Sequence, residues 1–288
     1  MSAARTESVG DPAGILTEQD HMRDMDRIRM EVLAIATPSP SVARVTARIA
    51  PADPSAWMPA NLAIRIEVET PPGERPVSRI YTVRRFDPAA STIEVDFVIH
   101  EDDSPAMRWL RAARAGDHVW LTGPRQHFVP DHELAKRAAI FADETAIPAV
   151  YAILNDWPEG AQGDVWIETD DRAAFDELPR PQGVALNLLL RRPDQPAGST
   201  GALFAAAQAA LTDPARHSLW AAGERQEMRH FRDHFRALGM ARQDIRVFGY
   251  WRRGTSSSEI DRIRLREYSA LRQTGARLED FSDADLPI

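Results

Sequence analysis

The chain has 288 residues, a formal net charge of −8 and no cysteine. This length exceeds an ordinary domain of roughly 100–200 residues, so we expect two domains. The acidic charge argues against a nucleic-acid partner, which would require a basic surface. Because cysteine is absent, disulfides, iron–sulfur clusters and cysteine-ligated zinc are excluded, and any electron transfer depends on an external cofactor.

The N-terminal residues 1–24 show no hydrophobic period and contain the helix breakers Gly10, Pro12 and Gly14. We predict a flexible segment there. The chain has no run of about 18 apolar residues, the length that spans a membrane. Its N-terminus also lacks the apolar core of a secretion signal, so we expect a cytoplasmic protein.

Residues 25–133 are predicted to form a small antiparallel β-barrel. Apolar and polar residues alternate in several short segments, for example in residues 62–68 and 93–99. This period is typical of half-buried strands. One helix is expected to begin at Ser104 and Pro105, because serine is a good N-cap and proline is favoured at the first helical position.

Residues 134–254 show a different pattern, in which short apolar strands alternate with helical segments. This alternation predicts a doubly wound α/β domain, and hence an α+β chain of two domains. Ligands bind such domains at the carboxyl ends of the strands. Residues 255–288 are predicted to form a charged helix and an acidic tail, with Ser256 and Glu259 at the spacing of a capping box.

The string at residues 79–84 is the first candidate binding site. A strand places Arg79 and Tyr81 on one face and Thr82 and Arg84 on the other. An aromatic ring can stack on a flavin, a hydroxyl can contact the flavin N5 edge, and arginine pairs with pyrophosphate. For this string alone, a half-buried strand with solvated arginines is an equally good interpretation.

A second string leads from the strand ending at His100 into the helix predicted to start after Ser104. Backbone amides at a helix N-terminus favour phosphate. An ordinary polar residue at a strand end is the alternative interpretation of His100. Glu101, Asp102 and Asp103 would repel a phosphate and count against the site.

Six strings in chain order resemble the siderophore-interacting protein family of flavin-dependent ferric-siderophore reductases. They lie at residues 79–84, 96–109, 116–124, 142–149, 222–224 and 249–254. The resemblance implies a barrel that binds FAD, an α/β domain that binds NADPH or NADH, and a ferric siderophore as the substrate. No metal site in the protein itself is implied.

The resemblance also implies which residues contact the cofactors, with Thr145 and residues 222–224 on the nicotinamide side. The predicted cofactor-binding residues are Arg79, Tyr81, Thr82, Arg84, Val98, His100, Ser104, Ala106, Met107, Thr145, Ala222, Gly223 and Glu224. A basic pocket would attract the anionic chelate, for which the candidates are Arg125, Arg252 and Arg253.

Glu101 and Ser104 replace two glycines of the family loop, and Ala142 replaces a third. Because glycine allows a close approach to phosphate, the sequence leaves open whether FAD binds as tightly here. Two alternatives to a ferric-siderophore reductase remain: a reductase with another electron acceptor, and a non-catalytic relative that binds a ligand. The choice between NADPH and NADH is open, because Asp170 and Asp171 suit a ribose hydroxyl and Arg172 suits a 2′-phosphate. The oligomeric state is also undetermined.

The sequence contains no P-loop, no nucleophile elbow and no zinc-protease motif. His230 and His234 are four residues apart on a predicted helix, as metal ligands can be. No clear third ligand accompanies them, so we predict a solvated helix face.

Overall fold

The computed structural model describes residues 25–72, 76–100, 102–132 and 136–273. The predicted flexible segment 1–24, Glu101 and the predicted acidic tail from residue 274 onward lie outside the described residues.

Six antiparallel strands form the first domain. They are β1 (Asp26–Ser39), β2 (Val42–Arg48), β3 (Leu62–Glu69), β4 (Val77–Asp87), β5 (Thr92–Val98) and β6 (His118–Gln126). They close into a barrel in the order β1-β2-β5-β4-β3-β6. In β3, Ile64, Ile66 and Val68 are buried in the barrel core, whereas Arg65 and Glu67 between them stay partly exposed. This alternation confirms the predicted barrel.

Helix α1 (Pro105–Ala112) follows β5 and packs against the barrel. Met107 on its first turn joins the barrel core. Trp109 stacks on Phe97 of β5, with 5.3 Å between the ring centroids. Ser104 occupies the N-cap position as predicted, but its side chain makes no capping hydrogen bond.

The second domain is a parallel sheet with helices on both faces. Its elements are β7 (Arg137–Asp143), α2 (Ile147–Asn155), β8 (Gly163–Thr169), α3 (Arg172–Asp176), β9 (Val184–Leu190), α4 (Ala202–Ala210), β10 (His217–Glu224), α5 (Arg225–Ala237) and β11 (Ile245–Trp251). One apolar cluster joins the sheet to α2 and to Val42 of the barrel, and another joins it to α4 and α5. The doubly wound fold is confirmed, whereas the short α3 was not predicted.

The strand order of this sheet is β11-β10-β7-β8-β9. From β7 the chain first builds the sheet towards β9, and then returns to add β10 and β11 on the other side of β7. The order therefore reverses between β7 and β10, and the connections after these two strands diverge. Such a topological switch point opens a crevice at the carboxyl ends of the strands, where doubly wound domains bind their ligands.

A charged network joins the two domains. Arg84 of β4 donates to Asp96 at 3.0 Å and to Glu177 at 3.2 Å. Arg44 of β2 donates to the same two carboxylates, at 2.7 Å in each case. The Arg84 guanidinium also lies 3.6 Å from the ring centroid of Tyr151 on α2. Charges from three barrel strands thus meet residues of the α/β domain in a mostly buried contact.

Helix α6 (Ser257–Gln273) follows β11 and corresponds to the predicted charged helix. The Glu259 amide donates to Ser256 Oγ at 3.2 Å, which is one half of the predicted capping box. Ile260 is buried, with 5% of its surface exposed. No helix in the described part of the chain is both long and apolar enough to cross a membrane.

Candidate functional site

Arg79 and Tyr81 lie on the same side of β4, as the strand period predicts. Tyr81 stacks on Phe97, with 4.1 Å between the ring centroids, and burial raises the pKa of its hydroxyl. The Arg79 guanidinium donates to the Ser78 carbonyl oxygen at 2.8 Å and to Ser258 Oγ of α6 at 2.6 Å. Burial lowers the pKa of Arg79, while Asp261 at 3.8 Å opposes this shift.

The start of α1 lies next to the end of β5. The first hydrogen bond of the helix runs from the Arg108 amide to the Ser104 carbonyl, so the amides of Ala106 and Met107 come before any intrahelical acceptor. The His100 amide donates to Met107 Sδ at 3.4 Å, and its side chain is exposed. These groups form an edge at which backbone N–H groups can meet a phosphate.

The acidic loop before α1 is partly neutralised by its own helix. Asp103 pairs with Arg108 and Arg111 at 3.4 and 3.2 Å. Asp102 accepts from the Ser104 amide at 3.1 Å. The repulsion expected from these two carboxylates is therefore reduced by neighbouring donors.

Thr82 points to the other side of β4 and meets the α/β domain. Its hydroxyl faces that of Tyr250 near the end of β11, and burial raises the pKa of Tyr250. This contact sets the barrel strand with the candidate flavin residues directly against the carboxyl ends of the parallel sheet.

The crevice at the switch point is lined by the ends of β7 and β10. Thr145 follows β7, and its amide and hydroxyl donate to Asp143 Oδ1 at 2.9 and 2.5 Å. Ala222 and Gly223 are buried at the end of β10. Glu224 caps α5, where its carboxylate accepts from the first two amides that follow Arg225, at 2.7 and 3.0 Å.

Family models match both domains. The model described as "Siderophore-interacting FAD-binding domain" matches residues 31–128, and the model described as "Siderophore-interacting protein" matches residues 135–254. The chain belongs to the siderophore-interacting protein family. Its barrel is accordingly the FAD-binding domain of that family, as predicted.

Curated relatives agree with this membership. The protein is 40% identical over 273 residues to the ferric acinetobactin reductase of Acinetobacter baumannii. The matched region covers 94% of each chain. It is 30% identical over 190 residues to the ferric vibriobactin reductase ViuB of Vibrio cholerae, covering 64% of this chain and 67% of the relative.

Solved structures show the same relationship. The siderophore-interacting protein of Acinetobacter baumannii superposes with a TM-score of 0.80 at 40% identity, covering 86% of this chain and 100% of the other. The ferredoxin reductase of a carbazole 1,9a-dioxygenase has a TM-score of 0.62 at 14% identity, covering 79% of this chain and 70% of the other, and shares the fold alone.

The residues of this siderophore-interacting protein fit an FAD. Arg79 supplies a cation whose side chain is already mostly withdrawn from water, with 12% exposed, and α1 supplies first-turn amides. Ile80 and Ile99 leave apolar surface in the open, at 49% and 39% exposure. Exposed apolar surface, a cation and first-turn amides are the groups that a ligand with a flat ring and a pyrophosphate requires.

Arg84 requires a correction. Its side chain is buried, with 3% exposed, and its guanidinium contacts Asp96, Glu177 and the ring of Tyr151. A cation bound to two carboxylates at the domain contact is not directed at a cofactor phosphate. We therefore remove Arg84 from the cofactor site and assign it to the domain contact.

The three glycine replacements have different surroundings. Ala142 is fully buried in β7 within the apolar cluster beneath α2, so its methyl group fills core space. Ser104 lies at the N-cap of α1. Glu101, as stated above, lies outside the described residues.

The three candidate substrate-binding arginines do not come from one place. Arg125 lies on β6 of the barrel. Arg252 lines a groove of about 270 Å³ with Gln226, Arg229, His230 and Asp233, along the helix that covers the sheet face opposite to the barrel. Arg253 is exposed, and its amide donates to Glu224 Oε1 at 3.2 Å.

Sequence reasoning did not single out Asp143 or Tyr250 as functional, and for Trp251 it favoured core packing over shielding of the flavin. All three lie at strand ends facing the crevice. Asp143 directly follows the apolar run of β7, which is a signal that the sequence did contain. The contact of Trp251 with Asp143 joins residues 108 positions apart, and no local sequence pattern indicates it.

The described residues gather no group of three metal ligands around His230 and His234.

Proposed function

We propose that this siderophore-interacting protein uses a nicotinamide dinucleotide to reduce iron(III) held in siderophores, with FAD as the electron carrier. The relatives named as ferric acinetobactin and ferric vibriobactin reductases support a siderophore as the substrate. The structural observation that carries the proposal is the contact between Thr82 and Tyr250, because it sets the flavin strand against the crevice of the α/β domain.

On the barrel side, each residue type has a distinct role. Arg79 and the amides of Ala106 and Met107 hold the pyrophosphate. Thr82 would offer its hydroxyl to the flavin from the face of β4 that meets the α/β domain. The ring of Tyr81 borders the flavin and is braced from behind by Phe97. Val98, His100 and Ser104 complete the edge between β5 and α1.

On the crevice side, Thr145 and residues 222–224 border the nicotinamide. Gly223 packs directly against the Asp143 side chain, since an added Cβ would approach Asp143 Oδ2 to 2.6 Å. A glycine at this strand end therefore lets the ends of β7 and β10, which border the crevice, approach each other closely.

FAD supplies the exchange between two-electron nicotinamide chemistry and one-electron iron chemistry. The chain contributes binding, orientation and electrostatics, and no nucleophile or general acid is needed. Iron(II) binds hard oxygen ligands more weakly than iron(III), so reduction releases the metal from its chelate.

The anionic chelate would dock close to the FAD site. Arg125 of the barrel and Arg253 beside Glu224 are the cations that we assign to this role. Arg252, which lines the groove along α5, is the weakest of the three predicted candidates. The cytoplasmic location expected from the sequence stays a prediction.

The deciding experiment is anaerobic. The FAD-loaded protein is mixed with NADH or NADPH and with ferric citrate or a ferric catecholate, while a chromogenic iron(II) chelator reports release. We expect flavin bleaching by the nucleotide and iron(II) formation that requires the protein. Failure to retain FAD, or a reduced flavin that leaves every ferric chelate unchanged, would overturn the proposal.

A protein electron acceptor is the second candidate, because a ferredoxin reductase shares this fold. Replacing the chelate by cytochrome c or a ferredoxin in the same assay separates the two. Turnover with a protein acceptor that exceeds turnover with ferric chelates would favour the general reductase.

A further inference from the structure

Asp143 holds a central place in the crevice, although the predicted site did not include it. It ends β7 at the topological switch point, and 3% of its surface is exposed. Thr145 donates its amide and hydroxyl to Oδ1, at 2.9 and 2.5 Å. Trp251 donates its indole N–H to Oδ2 at 2.7 Å. One carboxylate thus fixes the turn after β7 and the end of β11.

The same carboxylate also fixes the end of β10. A Cβ added at Gly223 would lie 2.6 Å from Asp143 Oδ2 and 2.8 Å from its Cγ. The Gly223 backbone therefore packs directly on the Asp143 side chain, and only glycine allows this separation. Three chain segments at the switch point meet at one side chain.

The indole ring of Trp251 extends this contact across the crevice. A Cβ added at Gly198, in the loop before α4, would meet the Trp251 ring at 3.2 Å and Glu224 Cγ at 2.8 Å. The ring therefore lies between Asp143 and the Gly198 loop, beside Glu224. Its orientation decides how much space stays open next to Gly223.

The hydrogen bonds of Asp143 favour a positioning role over proton transfer. Both carboxylate oxygens accept from the protein, Oδ1 from Thr145 and Oδ2 from Trp251. A proton carrier needs an oxygen that can reach the reacting group. Asp143 instead presents its partners to the crevice.

We propose that Asp143 is a positioning residue for the nicotinamide donor, holding the Trp251 indole and the Gly223 backbone at the separation that admits the dinucleotide's ring. The inference rests on the proposed function, because it assumes that a dinucleotide binds at the switch point. It predicts that Asp143 and Trp251 act through one hydrogen bond.

The test compares Asp143→Asn and Trp251→Phe with Trp157→Phe. Trp157→Phe is the control, because it also removes an indole hydrogen bond, the one from Trp157 to the Ala161 carbonyl oxygen at 3.1 Å. Trp157 lies in the turn after α2, outside the crevice. Calorimetry measures the affinity for NAD⁺ and NADP⁺, with and without FAD. Rapid mixing measures flavin reduction by each nucleotide. Oxidation of the dithionite-reduced proteins by ferric citrate reports the acceptor side.

We expect both crevice variants to weaken dinucleotide binding about tenfold, as loss of a buried hydrogen bond to a carboxylate does. FAD stoichiometry and oxidation by ferric citrate should not change. The double variant should be no weaker than the worse single variant, since both remove the same bond. Trp157→Phe should match the parent protein.

Unchanged dinucleotide affinity in both crevice variants would overturn the inference, and so would an equal loss in Trp157→Phe. If the parent protein binds neither dinucleotide, both this inference and the nicotinamide part of the proposed function fail. Oxidation of the reduced protein by ferric citrate would then still decide the iron-reductase part separately.

Discussion

Arg79 on the barrel donates a hydrogen bond from Nη2 to the hydroxyl oxygen of Ser258 on α6, at 2.6 Å. Asp261, one turn further along α6, places a carboxylate oxygen 3.8 Å from the same guanidinium. The residue that we assign to the FAD pyrophosphate is therefore shared with the helix that follows the α/β domain. A phosphate and a carboxylate compete for one cation.

Combining Ser258→Ala with Asp261→Asn should tighten FAD binding, because the substitutions release Arg79 and remove a charge that repels phosphate. A flavin fluorescence titration should give about a fivefold lower dissociation constant for FAD, which corresponds to the net contribution of one hydrogen bond. Glu259→Gln is the matched control, since it removes the same charge from an exposed position on the same turn. Weaker FAD binding in the double variant would show that α6 supports the cofactor.

Arg84→Gln should destabilise the protein and leave FAD binding nearly intact. The substitution removes a buried cation from the contact with Asp96 and Glu177. Loss of one partner from a buried ion pair costs about 3–5 kcal/mol of stability. Because Arg44 still binds Asp96 and Glu177, we expect roughly half of that cost here. Urea unfolding measures the loss, with the neighbouring exposed Arg85→Gln as the control. An FAD affinity that falls as far as in Arg79→Gln would return Arg84 to the cofactor site.

Glu227 should make the protein less stable as the pH rises towards neutrality. Burial raises the pKa of its carboxyl from 4.5 to about 7, and Glu168 adds repulsion. Between these values the folded protein binds a proton that the unfolded chain has released, so the free energy of unfolding falls with rising pH.

Glu227→Gln should reduce this pH-dependent fall in the free energy of unfolding by on the order of 2 kcal/mol. Part of the decline should remain, because burial also raises the pKa of Asp143 to about 7. Unfolding midpoints between pH 4.5 and 7.5 measure the effect, and exposed Glu159→Gln should reproduce the parent curve. A Glu227→Gln curve that runs parallel to the parent curve contradicts the expectation, whereas a rise common to both proteins follows from His127, whose pKa burial lowers to about 4.

NADH should be a better donor than NADPH. The end of β8 carries Glu168 and Asp170, and Arg191 beside them is held by both oxygens of Glu144 at 2.9 Å. Asp170 also lies 3.5 Å from Arg191. In a doubly wound domain, an acidic residue at this strand end accepts the ribose hydroxyls and repels a 2′-phosphate.

We expect kcat/KM for NADH to exceed that for NADPH by about tenfold, consistent with a repulsion of roughly 1–4 kcal/mol between charges a few Å apart. Asp170→Asn should narrow the ratio, whereas exposed Asp194→Asn after β9 should leave it unchanged. Preference for NADPH in the parent protein would point instead to a phosphate contact by Arg172.

The sequence predicted the architecture well because hydrophobic periodicity records which faces of a strand are buried. Alternation in β3 reports one buried face, and the almost uninterrupted apolar run in β7 reports two. The short helix α3 escaped prediction because a single turn held by its Asp171 cap has too few residues to show a period.

The candidate site was only partly within reach of the sequence. The strand period correctly separated Arg79 and Tyr81 from Thr82 and Arg84, yet it could not say what each face meets. The Arg84 face meets carboxylates of another strand and another domain, and the Thr82 hydroxyl meets Tyr250.

By itself, the sequence determined a barrel followed by a doubly wound domain, because these depend on local order along the chain. Its resemblance to a known family predicted a flavin site on the fourth barrel strand. Only the tertiary structure decided that Arg84 joins the domains, that Arg79 is shared with α6, and that Asp143 gathers Trp251 and Gly223. Those contacts join residues from 12 to 179 positions apart, and separations of that kind are set by packing, which no periodicity encodes.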